Sequence, residues 1–205
     1  MPRTHPVFAR VYERISKAVN AAGEIEFRAE LAGEASGRVL EPGAGNGLNL
    51  AHYRRVEMVV AMEPEPTMLR LAAERARAAP VTVRLVRGAA EELPFPDGSF
   101  DTVVVSLMLC SVSDPDAAVS EFGRVLRPGG TLRFLEHVRS RRPLWAGIQD
   151  VVAEPWSWFA GGCHPNRDTP ATLRAAGFDV RGRGFSFGPP SPCRPHVLGV
   201  ARLPR

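Results

Sequence analysis

Two acids and a histidine stand out because each follows an apolar run that reads as a strand. Glu41 lies in V-L-E-P-G-A-G-N-G, residues 39–47, Glu63 follows Met58 to Met62, and His137 follows Thr131 to Leu135. Gly43, Gly45 and Gly47 can take positive φ at little steric cost, and their missing Cβ atoms leave room for a bound group against the main chain. With Ala44 between them and Asn49 beyond, they form a turn that opens a helix through Leu48, Leu50 and Tyr53, whose first N–H groups are unpaired. A nucleotide-binding G-x-G-x-x-G would set its third glycine three residues after the second, whereas the spacing here is G-x-G-x-G with an acid at the strand end. That acid would repel a pyrophosphate. It suits a ligand carrying an ammonium and a sulfonium.

S-adenosylmethionine (SAM) is such a ligand. The stretch resembles motif I of class I SAM-dependent methyltransferases, and Glu63, 22 residues beyond Glu41, stands where that family places a second acid on the ribose hydroxyls. The resemblance implies a cofactor site built on the glycine loop, Glu41, Asn49, Glu63 and Pro64, with Met68 on the adenine face. It also implies Ala90 and Glu91 at the adenine edge and Ser106 and Leu107 along the methionine moiety. Ala89 stands where the family often has an aspartate, so the adenine amino contact is transferred to Glu91. A narrower resemblance covers most of the chain from Val39. The runs L-C-S-V, R-V-L-R-P-G-G, L-E-H-V, G-G-C-H-P-N-R-D-T and R-P-H-V-L-G-V-A are similar to the methyltransferase-like alkyl thiol methyltransferases. It implies methyl transfer to a small, apolar acceptor, with a thiol as the first choice. An oxygen, nitrogen or carbon acceptor on a quinone or secondary metabolite is the alternative, and a SAM- or dinucleotide-binding protein without methyl transfer is the reading from a different class.

Methyl transfer is an in-line displacement at a carbon already activated by the sulfonium, so the protein mainly has to align the acceptor and exclude water. A thiol with a pKa near 8.5 needs little help at neutral pH, whereas a hydroxyl needs a base. His137 is the candidate base; its other reading is a side chain that orients backbone or Glu136. Tyr12, Cys110, Trp145, Trp156 and Arg167 are the candidate acceptor contacts, with Trp158 and Phe159 either walling the same pocket or filling the core. Arg167 has a second reading, as a cap or ion-pair partner of the helix after Thr169. Cys110 and Cys163 read as small buried residues, since neither has a basic partner visible in sequence. Cys110, Cys163 and Cys193 are widely spaced and odd in number, which argues against a disulfide framework and a zinc knuckle, and no metal is expected.

These residues need a frame that brings strand ends together. At 205 residues, 44% hydrophobic and 23% charged, the chain has the balance of one ordered domain over 1–205. Apolar runs alternate with helical patterns at intervals of 20 to 30 residues, which predicts an α/β fold with a doubly wound, Rossmann-like seven-stranded sheet. The sheet is expected to be mostly parallel, and by resemblance to the family its final strand is antiparallel. In such a sheet ligands bind beyond the carboxyl ends of the strands. Residues 1–36 carry Phe8, Val11, Tyr12, Ile15 and Val19 at helical spacing and read as a helix on the core or a lid over the cofactor. Residues 140–170 hold all three tryptophans and read as an acceptor-site insertion.

Net charge is +4, but Lys17 is the only lysine and the arginines are scattered, so no nucleic-acid partner is expected. No apolar run reaches membrane-spanning length, and M-P-R-T-H-P lacks the apolar core of a signal peptide. A cytoplasmic protein, monomer or homodimer, with a small-molecule acceptor is the expectation.

Overall fold

The computed structural model describes residues 6–204, with side chains from Glu13 onward, so the Tyr12 side chain lies outside the described residues. The elements run α1 (Pro6–Val19), α2 (Ile25–Gly33), β1 (Ser36–Pro42), β2 (Arg55–Met62), α3 (Pro66–Arg77), β3 (Val83–Val86) and β4 (Phe100–Ser106). They continue with α4 (Pro115–Val125), β5 (Leu126–His137), α5 (Pro143–Phe159), α6 (Thr169–Ala175), β6 (Asp179–Ser186) and β7 (Pro195–Arg202). The seven strands form one sheet in the order β3-β2-β1-β4-β5-β7-β6. β7 lies antiparallel between β5 and β6, and the other neighbours pair in parallel, as the sequence predicts.

The strands are apolar on both faces because both faces are covered. Val103 and Val105 pack with Leu40, Val60, Phe122 and Phe134 on one side; Val104 packs with Val39, Val59, Leu31 and Leu135 on the other. The alternation follows from the two-residue repeat of a strand. Phe122 brings α4 to the first face and Leu31 brings α2 to the second.

Caps fix where the helices begin. Asp114 precedes Pro115 and accepts from the N–H groups of Asp116 and Ala117, while Glu65 accepts from Met68 N at 2.7 Å. Helix α6 is capped by Asp168, whose carboxylate accepts from Ala171 N; Thr169 is its first helical residue. The segment before β1 is two helices separated by a kink with Gly23 at φ 123°.

The helix expected behind the glycine loop is only a 3-10 turn, Leu48–Ala51. Gly47 at φ 81° ends the loop, and the chain must already be in β2 at Arg55, which leaves no length for a full helix. The loop's support comes instead from α1. Glu13 ion-pairs with Arg75 at 2.8 Å, and the Asn46 side chain donates to Glu13 and Ser16. That places α1 beside the glycine loop.

Candidate functional site

The carboxyl ends of β1, β2, β4 and β5 lie together in the sheet. At the end of β1, Glu41 is 1% exposed. Its two oxygens accept from Asn49 Nδ2 at 2.7 Å and Tyr53 Oη at 2.8 Å. Burial pushes its carboxyl up to about 7 against these bonds and against the nearby Arg28 charge. Arg28 was not singled out in the sequence, yet its buried guanidinium donates to Asn49 Oδ1 at 2.9 Å and Ser106 Oγ at 3.2 Å. Its other nitrogens hold Glu24 Oε2 at 2.7 and 3.0 Å. The signal was there: Glu24 and Arg28 are spaced i,i+4, and Arg28 falls on the same helix face as Leu31, turned to the core.

Glu63, at the end of β2, is 7% exposed. Oε2 accepts from Gly45 N at 2.9 Å and Oε1 from Glu65 N at 3.0 Å. Each carboxylate oxygen has two lone-pair sites, so each keeps capacity for a hydroxyl of a vicinal diol. Burial raises its pKa. A Cβ on Gly45 would meet nothing within 4 Å, so that side of the loop faces open space, while Ala44 N is tied to Met62 O at 2.9 Å. Gly43 is different. It sits at φ 64°, and a Cβ there would come within 2.8 Å of Met108 Cβ. Gly43→Ala is therefore expected to cost about 1–2 kcal/mol from the left-handed backbone alone, with further loss from the clash; thermal unfolding measures it.

Met68 and Ala90 are buried near this end, and Pro64 is half-buried with its carbonyl accepting from Arg87. Glu91 Oε1 accepts from Ser113 N at 3.0 Å and from Asp114 N at 3.5 Å, at the start of α4. The oxygen expected at the adenine thus also supports a helix start. Leu107 takes φ 54°, the one positive φ outside glycine among the described residues. Strained backbone of this kind persists where its surroundings over-determine it. Here the Leu107 N–H is held by Leu135 O at 2.8 Å.

The loop after β4 is fixed by Glu136, which is 0% exposed and accepts from the N–H groups of Met108, Leu109 and Cys110 at 2.8, 3.0 and 3.3 Å. Arg167 reaches this loop too and not α6, donating to the carbonyls of Leu109 and Val112 at 2.7 and 2.8 Å. Cys110 does have a basic partner: Sγ lies 3.7 Å from His137 Nδ1, and Cys163 Sγ lies 3.6 Å from the same nitrogen. Cys193 Sγ is 3.6 Å from Cys163 Sγ. Wide sequence spacing hid this cluster, because strand ends and loops converge that are distant along the chain.

The neighbouring Cys163 thiol, and then His137, draw Cys110 well below the ordinary thiol range. Burial opposes charge on His137, but the Cys110 and Cys193 sulfurs outweigh it and hold the ring well above its usual value. His196 packs edge-on against His137 at 4.7 Å and is pushed down to about 4 by burial and by His137.

Trp145 and Trp156 are half-buried, and Trp156 Nε1 is buried with no hydrogen-bond partner among the described residues. Trp158 and Phe159, by contrast, are 79% and 81% exposed. They neither fill the core nor wall a pocket. Gln149 explains the geometry of α5: fully buried, it binds the Val138, Pro165 and Pro192 carbonyls and the Ser140 N–H, which fixes the inner face. In the last turn Ser157 stays buried on that face while Trp158 and Phe159 point to the outer one.

A protein-family model described as a methyltransferase domain matches residues 40–134. A methyltransferase structure from Mesorhizobium loti, 21% identical, superposes with a TM-score of 0.62 over 86% of this chain and 95% of that one, which shows the shared fold. With its sheet order and its acid-flanked glycine loop, the chain belongs to the class I SAM-dependent methyltransferases. It is 36% identical over 178 residues to the thiol S-methyltransferase TMT1B of Homo sapiens, covering 82% of this chain and 72% of that protein. It is also 32% identical to the ubiquinone/menaquinone biosynthesis C-methyltransferase UbiE of Pseudomonas putida, over 75% of this chain and 70% of that one. Among the described residues no helix is long and apolar enough to cross a membrane.

Proposed function

We propose that the chain transfers the methyl group of SAM to a small thiol at the carboxyl ends of β4 and β5. In this reading the ribose diol binds Glu63, the adenine lies between Met68 and the Ala90–Glu91 segment, and the methionine part runs along Gly43–Gly45 toward Ser106. Arg28, a buried cation within reach of Ser106, is the partner for the methionine carboxylate, and Glu41 with its Asn49 and Tyr53 bonds offsets the ammonium. Helix α1, tied to Asn46 through Glu13, closes the cofactor side.

The observation that carries the acceptor choice is Glu136. It is the carboxylate at the ends of β4 and β5, and its oxygens are occupied by three backbone N–H groups, so this end offers sulfur and imidazole in place of a free acid base. A thiol needs little help at such an end, whereas a catechol or alcohol would depend on His137 alone as its base. Likeness to the thiol S-methyltransferases supports the same choice, and likeness to UbiE keeps a quinol carbon as the second reading. Incubating the chain with SAM and an alkyl thiol, and measuring the thioether by mass spectrometry, tests it. Thioether formation supports the thiol reading, and its absence with turnover of a quinol moves the acceptor to carbon.

The Glu41 pKa of about 7, above the ordinary 4.5, sets a pH dependence. The groups facing it are Asn49, Tyr53 and Arg28. A raised acid pKa means that folding holds a proton on Glu41 below pH 7, while a cationic ligand favours the ionised form. SAM affinity is therefore expected to tighten between about pH 5 and 7 and to level off above. Calorimetric titration of the wild type and of Glu41→Gln checks this: the variant should lack the rise.

A further inference from the structure

The sulfur and imidazole cluster at the acceptor end is built from four separate segments. Cys110 follows β4, His137 ends β5, Cys163 lies in the loop between α5 and α6, and Cys193 lies in the proline-rich loop before β7. Cys110 Sγ, His137 Nδ1 and Cys163 Sγ all lie within 4.8 Å of one another. His137 Nδ1 lies 3.7 Å from Cys110 Sγ and 3.6 Å from Cys163 Sγ, and Cys193 Sγ lies 3.6 Å from Cys163 Sγ. A tetrahedral ion with Zn–S of about 2.3 Å and Zn–N of about 2.0–2.1 Å spaces its ligand atoms about 3.5–3.8 Å apart. The two sulfur-to-His137 edges and the Cys163–Cys193 edge already have these spacings.

We propose that Cys110, His137 through Nδ1, and Cys163 bind one Zn2+, and that Cys193, outside that group but 3.6 Å from Cys163 Sγ, is drawn in as the fourth ligand. Thiolate and imidazole are the ligand types that select this soft, d10, four-coordinate ion over Mg2+ or Ca2+. The supports of the ligands are in place. Cys110 is 1% and Cys163 5% exposed. The Cys110 backbone is held on both sides, its N–H by Glu136 and its carbonyl by His164 N at 2.7 Å. His137 is registered opposite His196 across β5 and β7. Gly162 at φ 87° allows the turn that brings Cys163 up, where a Cβ would lie 2.9 Å from the Ser111 carbonyl oxygen. Filling of the core by small residues does not require two sulfurs to converge on one ring nitrogen.

On binding, each ligating thiol gives its proton to solvent and no electron moves. The ion would tie the loops after β4, after α5 and before β7 to the end of β5, fixing the wall against which an acceptor lies. His137 is then a ligand and not the proton acceptor. The inference needs no particular acceptor, so it stands or falls separately from the thiol reading.

The test is metal titration of the full chain after reduction and chelator treatment, with Co2+ as a coloured stand-in. One Co2+ per chain is expected, with thiolate-to-cobalt absorption in the near ultraviolet and tetrahedral bands in the visible, both bleached by one equivalent of Zn2+. Cys110→Ser and Cys163→Ser should each weaken Zn2+ binding by at least about 100-fold in chelator competition. Cys193→Ser, on the most exposed ligand, should keep the fold by circular dichroism while the thiolate absorption falls by roughly a third. Three results would overturn the proposal: no metal bound by the reduced chain, unchanged binding in the Cys110→Ser and Cys163→Ser variants, or a Cys163–Cys193 disulfide that re-forms in place of metal uptake.

Discussion

Replacing Glu63 by alanine is expected to weaken SAM binding by about 1–3 kcal/mol, roughly 5- to 150-fold in Kd. The carboxylate is buried at the end of β2 and already aligned by Gly45 N and Glu65 N. Its removal takes away the acceptors proposed for the ribose diol and leaves those two N–H groups without their partner. Glu63→Gln keeps one acceptor oxygen and should fall between the two. Calorimetric titration with SAM reads the effect, and a thermal melt of each variant separates it from loss of fold. An unchanged Kd in a folded Glu63→Ala protein would place the ribose elsewhere.

The largest expected loss of stability comes from Glu136→Ala. Three backbone N–H groups converge on this carboxylate at a site fully closed to water, so alanine leaves all three unsatisfied. Each orphaned group costs about 1–3 kcal/mol, and water entering the space vacated recovers part of it, which gives a net of about 3–5 kcal/mol. At about 2–4 °C per kcal/mol for a chain of this size, Tm should drop by roughly 6–20 °C. Glu136→Gln, which retains an acceptor oxygen in the same place, should lose less than half as much. A Glu136→Ala melt within a degree of wild type would mean that the loop after β4 is held by Arg167 and by the backbone bonds of Leu107 and Cys110 without Glu136.

The fold was legible because its signals are local. Continuous apolar runs such as Thr102 to Leu107, the Asp114–Pro115 helix start and the glycine-rich turn after Glu41 each identify one element, and their alternation identifies the sheet. The helix after the glycine loop was overestimated because periodicity through Leu48, Leu50 and Tyr53 says nothing of how soon β2 must begin. Side-chain partners were less legible. Arg28 meets Ser106 across 78 positions. Cys110 and His137 meet because parallel β4 and β5 bring their carboxyl ends together, and Cys163 and Cys193 reach them from the α5–α6 loop and the loop before β7. No local spacing encodes such a meeting. Trp158 and Phe159 misled for the opposite reason: apolar type suggests burial, but Gln149 fixes the inner face of α5 and these two side chains fall on the outer one.

In the proposed reaction the methyl group of SAM passes to sulfur. The most direct test is a competition in one vessel, with methyl-labelled SAM, an alkyl thiol and a quinol at equal concentration, followed by separation of the methylated products. The expected result is label in the S-methyl thioether in large excess over the quinol product, with Glu63→Ala slowing the transfer at subsaturating SAM. Label on the quinol ring carbon in preference to sulfur would contradict transfer to a thiol.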